Sequence, residues 1–405
     1  MLNISMNEYL REEAARRSIL AEASRRLENP SEPAPNDTFP EYLIQKLVES
    51  RAYVLSIEQP VQVGVVFAMW RESRRLRENS PDNPLGEDCL AAKVEALNWL
   101  CAGTQVDWHL YGIDDGCDEG SFEAALERIQ GHECEQKVTL RKLADDFPYS
   151  TAPLSRLSAI EISQKGGSIL RGFELALADG QDFVVYTDCD NSVHLGQLGL
   201  LLQPAIDQGK AAVFGDRFDD ASFYFWHPDR TSDAPGLKII SHIRRGLFEG
   251  GLLTKDVPSP FKLFSSGLLR QVLPRLSLFD FHFDFDVIMA VKSLGADTAN
   301  VSYAFVDSYE ESTWPLLGQH KIWFDRLKGV ILAARRNGIR LDEDLADIVD
   351  RFINSHGDIG IILTNPIPPQ LLGRPDDDLG KLEVMPANEV AAFLTSIGLK
   401  PAPSH

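Results

Sequence analysis

The sequence predicts an α/β fold, a mostly parallel sheet flanked by helices, with helical extensions at both ends. Three observations predict it. Short β-branched and aromatic runs, Val61–Ala68, Val106–Tyr111 and Phe183–Thr187, read as strands covered on both faces. Segments of helical periodicity separate them, as parallel crossovers require. Each run empties into charged or glycine residues: Arg71-Glu72, Asp114-Asp115-Gly116 and Asp188-Cys189-Asp190.

The bulk numbers suit this class. With 405 residues, 44% of them apolar and 25% charged, the core is not limiting, and neither wholesale disorder nor a fibrous repeat is indicated. A formal charge of −20 argues against nucleic acid or an anionic membrane surface as the main partner, since both reward clustered Lys and Arg. Cys89, Cys101, Cys117, Cys134 and Cys189 are odd in number and lack CxxC spacing, which points to reduced thiols in a cytoplasmic protein. The start, MLNISMNEYLREEAARRS, is charged and helical rather than a secretory signal, and no stretch reaches the roughly 18 apolar residues of a membrane span.

In order, residues 1–28 read as one amphipathic helix and NPSEPAPNDTFPEY as a Pro-rich linker, an arm that packs on the body or on a second subunit. A helix at 41–56 precedes the first strand. A charged, Pro-broken stretch (74–87) leads to a helix at 89–100, then to the strand at 106–111 and its acidic turn. Residues 118–145 read as a helix broken near Gly131, followed by a short strand or a second helix. Lys165-Gly166-Gly167 opens a helix that ends near Gly180. After the strand at 183–187 come a helix at 195–209 and a strand at 210–214 that ends in Gly215-Asp216-Arg217. Residues 218–236, with Phe223, Tyr224, Phe225, Trp226, His227 and Pro228, read as an irregular loop over the site. A helix at 237–249 follows, then the segment 256–264, an aromatic segment (279–286) opening another helix, and a strand near 300–306 that ends in DSYEEST. Beyond Trp314, two or three helices and a Pro-rich connection (365–378) complete the chain. These boundaries give a helical extension at 1–58, a central domain at 59–313 and a C-terminal extension at 314–405.

Chemistry concentrates at the strand ends. Ligands of open α/β sheets collect at the carboxyl edge, where Asp188 and Asp190, one residue apart, can share one hard cation that faces a diphosphate. A DxD string is also a common solvated turn or helix cap. Asp114 and Asp115 likewise read either as a ligand-facing pair or as turn residues, with Gly116 supplying positive φ. His194, His227, His242 and His282 read as ordinary core or surface histidines.

The order of these pieces resembles family 2 glycosyltransferases with the GT-A fold, in the branch of dolichyl-phosphate mannose synthase and polyprenyl-phosphate glucosyltransferases. The resemblance covers about residues 60–313. It is carried by VGVVFAMWRE, IDDGCDEGS, KGGSILRGFELAL, VVYTDCDNS, VFGDR, DVPSPFKLF and FDFDV in that order. It implies inverting transfer of a sugar from a UDP- or GDP-sugar to a hydroxyl or phosphate acceptor, with Mg2+ or Mn2+. It places Glu72 and Asp115 at the nucleoside, Asp188 and Asp190 at the metal and diphosphate, and Arg217 and Lys262 on phosphates; Asp114 and Lys165 are further candidates for binding the nucleotide sugar. Arg217 has a rival role in a surface pair with Asp219 or Asp220. For a hydroxyl acceptor, Asp284 and Asp286 are the candidate general bases, with helix capping the rival role of Asp284. Differences from the family pattern are Phe67–Glu72 at the first strand's end, Ile288 after the FDFDV block, and a lipid-phosphate set matched only by Ser241, Arg244 and Arg245. A sugar-phosphate nucleotidyltransferase would want a Gly-rich cradle after the first strand, and a non-catalytic nucleotide-sugar binder is the third reading. The expected partners are the nucleotide-sugar donor, an unknown acceptor and a second copy of the chain through the terminal helices.

Overall fold

The computed structural model describes residues 2–29, 38–226, 234–248, 251–308 and 318–402. The strands are β1 (Val61–Met69), β2 (Val106–Asp114), β3 (Val138–Lys142), β4 (Phe183–Thr187), β5 (Ala212–Gly215), β6 (Phe223–Phe225), β7 (Lys262–Ser265), β8 (Thr298–Val301) and β9 (Ala304–Val306). Seven of them form one sheet in the order β3-β2-β1-β4-β7-β5-β8. Only β7 runs antiparallel to its neighbours, so the sheet is mostly parallel, as the sequence predicts. β6 and β9 pair in parallel as a separate ribbon.

The helices up to residue 293 are α1 (Met6–Arg11), α2 (Glu13–Glu28), α3 (Phe39–Ser56), α4 (Cys89–Cys101), α5 (Ser121–Ile129), α6 (Gly166–Ala178), α7 (Leu198–Asp207), α8 (Leu237–Gly246), α9 (Ser266–Val272) and α10 (Phe283–Ser293). Alternation along β1 explains why the sheet is covered twice. Val63, Val65 and Phe67 join the core formed with Leu90, Val94 and Leu97 of α4 and Leu198, Leu201 and Leu202 of α7. Val66 points the other way, to α6, where a Cβ on Gly172 would lie 2.2 Å from Val66 Cγ1. Only glycine allows so close a helix–strand approach.

Contacts divide the chain into two compact units, one comprising Met1–His227, Thr254–Asp280 and Gly295–Glu311, the other Pro228–Leu253, Phe281–Leu294 and Ser312–His405. The first holds every strand and the N-terminal helices. Tyr9, Leu10, Ile19 and Leu20 pack with Phe39, Leu43 and Leu47 against Ala304 and Val306 of β9, so the arm lies on its own body. The second unit contains α8, α10 and the helices Gln319–Asn337, Glu343–Phe352, His356–Thr364 and Ala387–Ser396. Within it His242 is a neutral linchpin. Its Nδ1 accepts the Gly380 N–H (3.0 Å) while Nε2 donates to the Met385 carbonyl (2.8 Å), and burial lowers its basicity.

Several expectations change. The first 28 residues form two helices, with Ser5 and Asp342 among the side chains that cap helix starts. Residues 223–225 belong to β6 rather than to a loop, and the block around Lys262 is β7, the antiparallel strand, while the stretch 138–142 takes the strand of its two expected forms. Four helices, rather than two or three, follow residue 318 among the described residues. Most of the linker, His227, Pro228, Glu249 and residues 309–317 lie outside the described residues. The five cysteines are free thiols, four of them buried. Among the described residues no helix is long and apolar enough to cross a membrane.

Candidate active site

Parallel register brings the acidic turns together. β1 and β2 run side by side to the pair Met69 and Asp114, and β4 leaves the sheet beside Phe67, so Asp114 ends a strand and Glu72, Asp115, Asp188 and Asp190 follow strands at one carboxyl edge. The Asp115 N–H donates to the Met69 carbonyl at 2.8 Å, which extends the ladder into the turn.

The two aspartates of that turn do different work. Asp115 is buried and accepts from the Ser163 and Ser168 hydroxyls and from the Lys165 N–H (2.7 Å). Burial raises its pKa, and those hydrogen bonds oppose the rise. It therefore anchors the start of α6. Among the described residues Asp114 accepts only the Cys117 N–H, through Oδ2 (3.2 Å), and its buried Oδ1 has no hydrogen-bond partner there. Burial pushes this carboxyl up to about 6. A carboxylate with an unused buried acceptor is prepared for a donor that the chain itself does not supply.

Lys165 joins the two motifs. Its backbone has φ +77°, a left-handed value rare for a residue with a side chain, and is held there by Asp115. Its Nζ donates to Asp188 Oδ1. Burial alone would raise Asp188, but the Lys165 ammonium, with Arg217 and Lys93, outweighs it and holds the carboxyl below its usual range. Asp188 is thus kept ionised while its side chain is 31% exposed. Asp190 accepts the Ser192 N–H at 3.0 Å and lies 3.5 Å from the Arg75 guanidinium. Among the described residues no group of three or more His, Cys, Asp or Glu side chains forms a metal cage. Two oxygen donors, one well exposed and ionised, fit a hard divalent ion that completes its shell with water and phosphate oxygens; they do not fit a softer ion caged by protein alone.

The other basic residues are occupied. Arg217 forks onto Asp256 through Nε (2.8 Å) and Nη2 (2.7 Å), with its own N–H adding a third bond (2.9 Å), and it lies over the rings of Tyr224 and Phe305. Its partner is therefore Asp256, not Asp219 or Asp220. Burial would weaken its proton affinity, but Asp256 more than compensates. Lys262 is 1% exposed inside β7, where its Nζ donates to the Tyr186 hydroxyl (2.9 Å) and the Ser259 carbonyl. Burial drives its pKa well below the ordinary lysine range, which makes it a poor phosphate clamp where it stands. The Glu72 carboxylate accepts from Arg75 at 3.1 and 3.3 Å, and burial pushes it up to about 7 against that pairing.

Asp284 and Asp286 belong to the helical unit. Asp286 is fully buried on α10, where Arg336 and the Asn337 amide (3.3 Å) hold it. Asp284 is the second residue of α10, and His282 occupies the cap position, so Asp284 is not the N-cap. Sequence reading missed Arg75, Glu87, Lys93 and Asp256. Lys93 alone left a signal, because it shares the apolar face of α4 with Leu90 and Leu97.

No family model matches the chain, and no curated protein is similar to it. Among solved structures it is similar to glucosyl-3-phosphoglycerate synthase from Mycobacterium tuberculosis in complex with phosphoglyceric acid, at 16% identity over 76% of this chain and 86% of that one, TM-score 0.44. The same enzyme with Mn2+, UDP-glucose and phosphoglyceric acid matches at 16% identity over the same shares, TM-score 0.42. Mannosyl-3-phosphoglycerate synthase from Rubrobacter xylanophilus matches at 13% identity over 69% of this chain and 75% of that one, TM-score 0.45. Likeness at this level assigns neither activity nor substrate to the present chain.

Proposed function

We propose that the chain is a GT-A glycosyltransferase that moves a sugar from a nucleoside-diphosphate sugar to an acceptor, with inversion at the anomeric carbon. One observation carries the reading: Lys165 ties the Asp114-Asp115 turn to the Asp188-Asp190 pair at a single sheet edge. That joins a nucleoside-side carboxylate, a cation and a metal-ready pair, which are the parts a departing diphosphate needs. In this scheme Asp188 and Asp190 hold Mg2+ or Mn2+. The ion supplies charge compensation for the leaving group. Lys165 adds a second positive charge once the diphosphate draws it from Asp188. The unused Asp114 Oδ1 accepts from the nucleoside, whereas Asp115 acts indirectly by setting Lys165 and α6.

Arg217 and Lys262 serve as fixed background charge rather than as direct phosphate ligands, because each is already bound within the protein. Asp284 is our candidate base for a hydroxyl acceptor; Asp286 is committed to Arg336 and Asn337. A phosphate acceptor needs no base. The turn after β1 carries the buried Glu72–Arg75 pair instead of a glycine-rich cradle, which favours this reading over a nucleotidyltransferase. Division at residues 58 and 313, a cytoplasmic location and a homodimer through the terminal helices belong to the same proposal.

The test is a thermal-shift panel of UDP- and GDP-sugars with and without Mn2+, followed by an assay for nucleoside diphosphate release with candidate acceptors. A metal-dependent shift for one sugar nucleotide is expected. Absence of any shift across the panel would exclude the reading.

A further inference from the structure

Behind the Asp188–Asp190 turn lies a buried polar cluster. At its centre is Arg75, 4% exposed, in the segment between β1 and α4. Its Nη1 lies 3.1 Å from Glu72 and 3.5 Å from Asp190, its Nε 3.6 Å from Glu87, and its Nη2 donates to the Ser308 carbonyl at 2.9 Å. Glu87 accepts the Asn191 N–H (2.8 Å) and the Ser308 hydroxyl. The Asn191 amide donates to the carbonyls of Glu87 (2.8 Å) and Leu10 (2.9 Å), and its own carbonyl accepts the Tyr9 hydroxyl (2.9 Å). Lys93 reaches across from α4 to the carbonyls of Cys189 (2.7 Å) and Asp190 (2.6 Å). Three consecutive residues, 189 to 191, are therefore gripped on their buried side by three separate segments: the β1–α4 stretch, α4 and the N-terminal arm.

This arrangement answers a physical problem. Two carboxylates meant to share an ion repel each other when the ion is absent, and a short turn left to itself would splay them apart. A buried guanidinium against Asp190 cancels part of that repulsion and also gives the carboxylate a direction, which a flexible ammonium would not do as well. Lys93 fixes the backbone of the same turn. We propose that Arg75 is a positioning residue that presets Asp190 for a divalent cation, with the N-terminal arm bracing the turn through Tyr9 and Leu10. The proposal rests on the glycosyltransferase reading above and deepens its metal site.

The experiment measures Mn2+ uptake by the full chain, from the spectrum of free Mn2+ by electron paramagnetic resonance, with UDP or GDP present. Nucleotide binding without metal is measured in parallel by calorimetry. Arg75→Gln should weaken Mn2+ affinity about 10- to 100-fold, the usual cost of losing a partner behind a metal ligand. Metal-free nucleotide affinity should change less than about threefold. Arg75→Lys should recover part of the loss, and Tyr9→Phe should cost a few-fold. If Arg75→Gln does not fold, Arg75→Lys and Tyr9→Phe decide the matter. Unchanged Mn2+ affinity in the folded variants overturns the assignment. So does a parallel fall in metal-free nucleotide binding, the mark of general loosening. Failure of the unaltered chain to take up Mn2+ with either nucleotide would remove the glycosyltransferase reading as well, an outcome separate from the other two.

Discussion

Two acidic pairs of identical spacing, Asp188-Cys189-Asp190 and Asp284-Phe285-Asp286, are among the Asp-x-Asp pairs of the chain, and the structure treats them in opposite ways. The first follows the central strand β4, with side chains 31% and 12% exposed. The second sits in the first turn of α10, where Asp284 is 4% exposed and Asp286 is fully buried. Along a helix, residues two apart point to different faces, so the carboxylates of α10 cannot converge on one ion. Past a strand end the backbone is free to turn, and the same spacing can bring two carboxylates to one place. Spacing alone therefore says little about chemistry; the element that carries it decides.

The largest effect that would sharpen this contrast is on stability. Asp286→Ala removes the buried carboxylate that Arg336 and Asn337 hold and should cost about 3 kcal/mol, as breaking a buried pair does, while nucleotide binding is unchanged; urea denaturation with calorimetry checks both. Asp188→Asn should do the reverse. It should weaken Mn2+-dependent nucleotide binding roughly 50-fold, about 2.3 kcal/mol, and leave the denaturation midpoint near that of the parent. Equal behaviour of the two variants would break the comparison.

A pH effect belongs to the sheet side as well. His194 accepts the Gly196 N–H through Nδ1 (3.0 Å) and is buried, which depresses its pKa to about 3. Its folded value lies below its unfolded one near 6.5, so the stability tied to its neutral form is present above that value and drains away as pH falls towards 3. Between pH 7 and 5 the loss should be about 2 kcal/mol, and His194→Asn, which keeps an acceptor for Gly196, should abolish it. Smallest of all, Lys165→Met should tighten binding of Mn2+ alone about threefold by removing a competitor for Asp188, and loosen it once a diphosphate is present.

Much of the fold was legible because its cause is local. The apolar runs of β1, β2 and β4 and the glycine-led start of α6 announce themselves in a few residues each. β7 was not legible as antiparallel, since Lys262-Leu-Phe-Ser carries no mark of direction and takes its orientation from β4 and β5. Of the site, the acidic turns could be read, because carboxylates after a buried strand are conspicuous. Their partners could not. Arg75 and Glu87 lie in a charged, Pro-broken stretch that looks like surface, and become buried only when Ser308 and Asn191 arrive from distant parts of the chain. The same holds for Asp256, whose tie to Arg217 spans 39 positions.

The grip of Tyr9 on Asn191 has one more consequence. Its two ends are 182 residues apart in sequence, and the helix carrying Tyr9 also rests on β9. Phe39, Leu43 and Leu47 cover part of the arm's apolar face at short range, but its seat on Asn191 and β9 is made only with distant parts of the chain. Contacts of such long sequence separation close slowly, so this seat should lock late in folding, after the arm and α3 have paired.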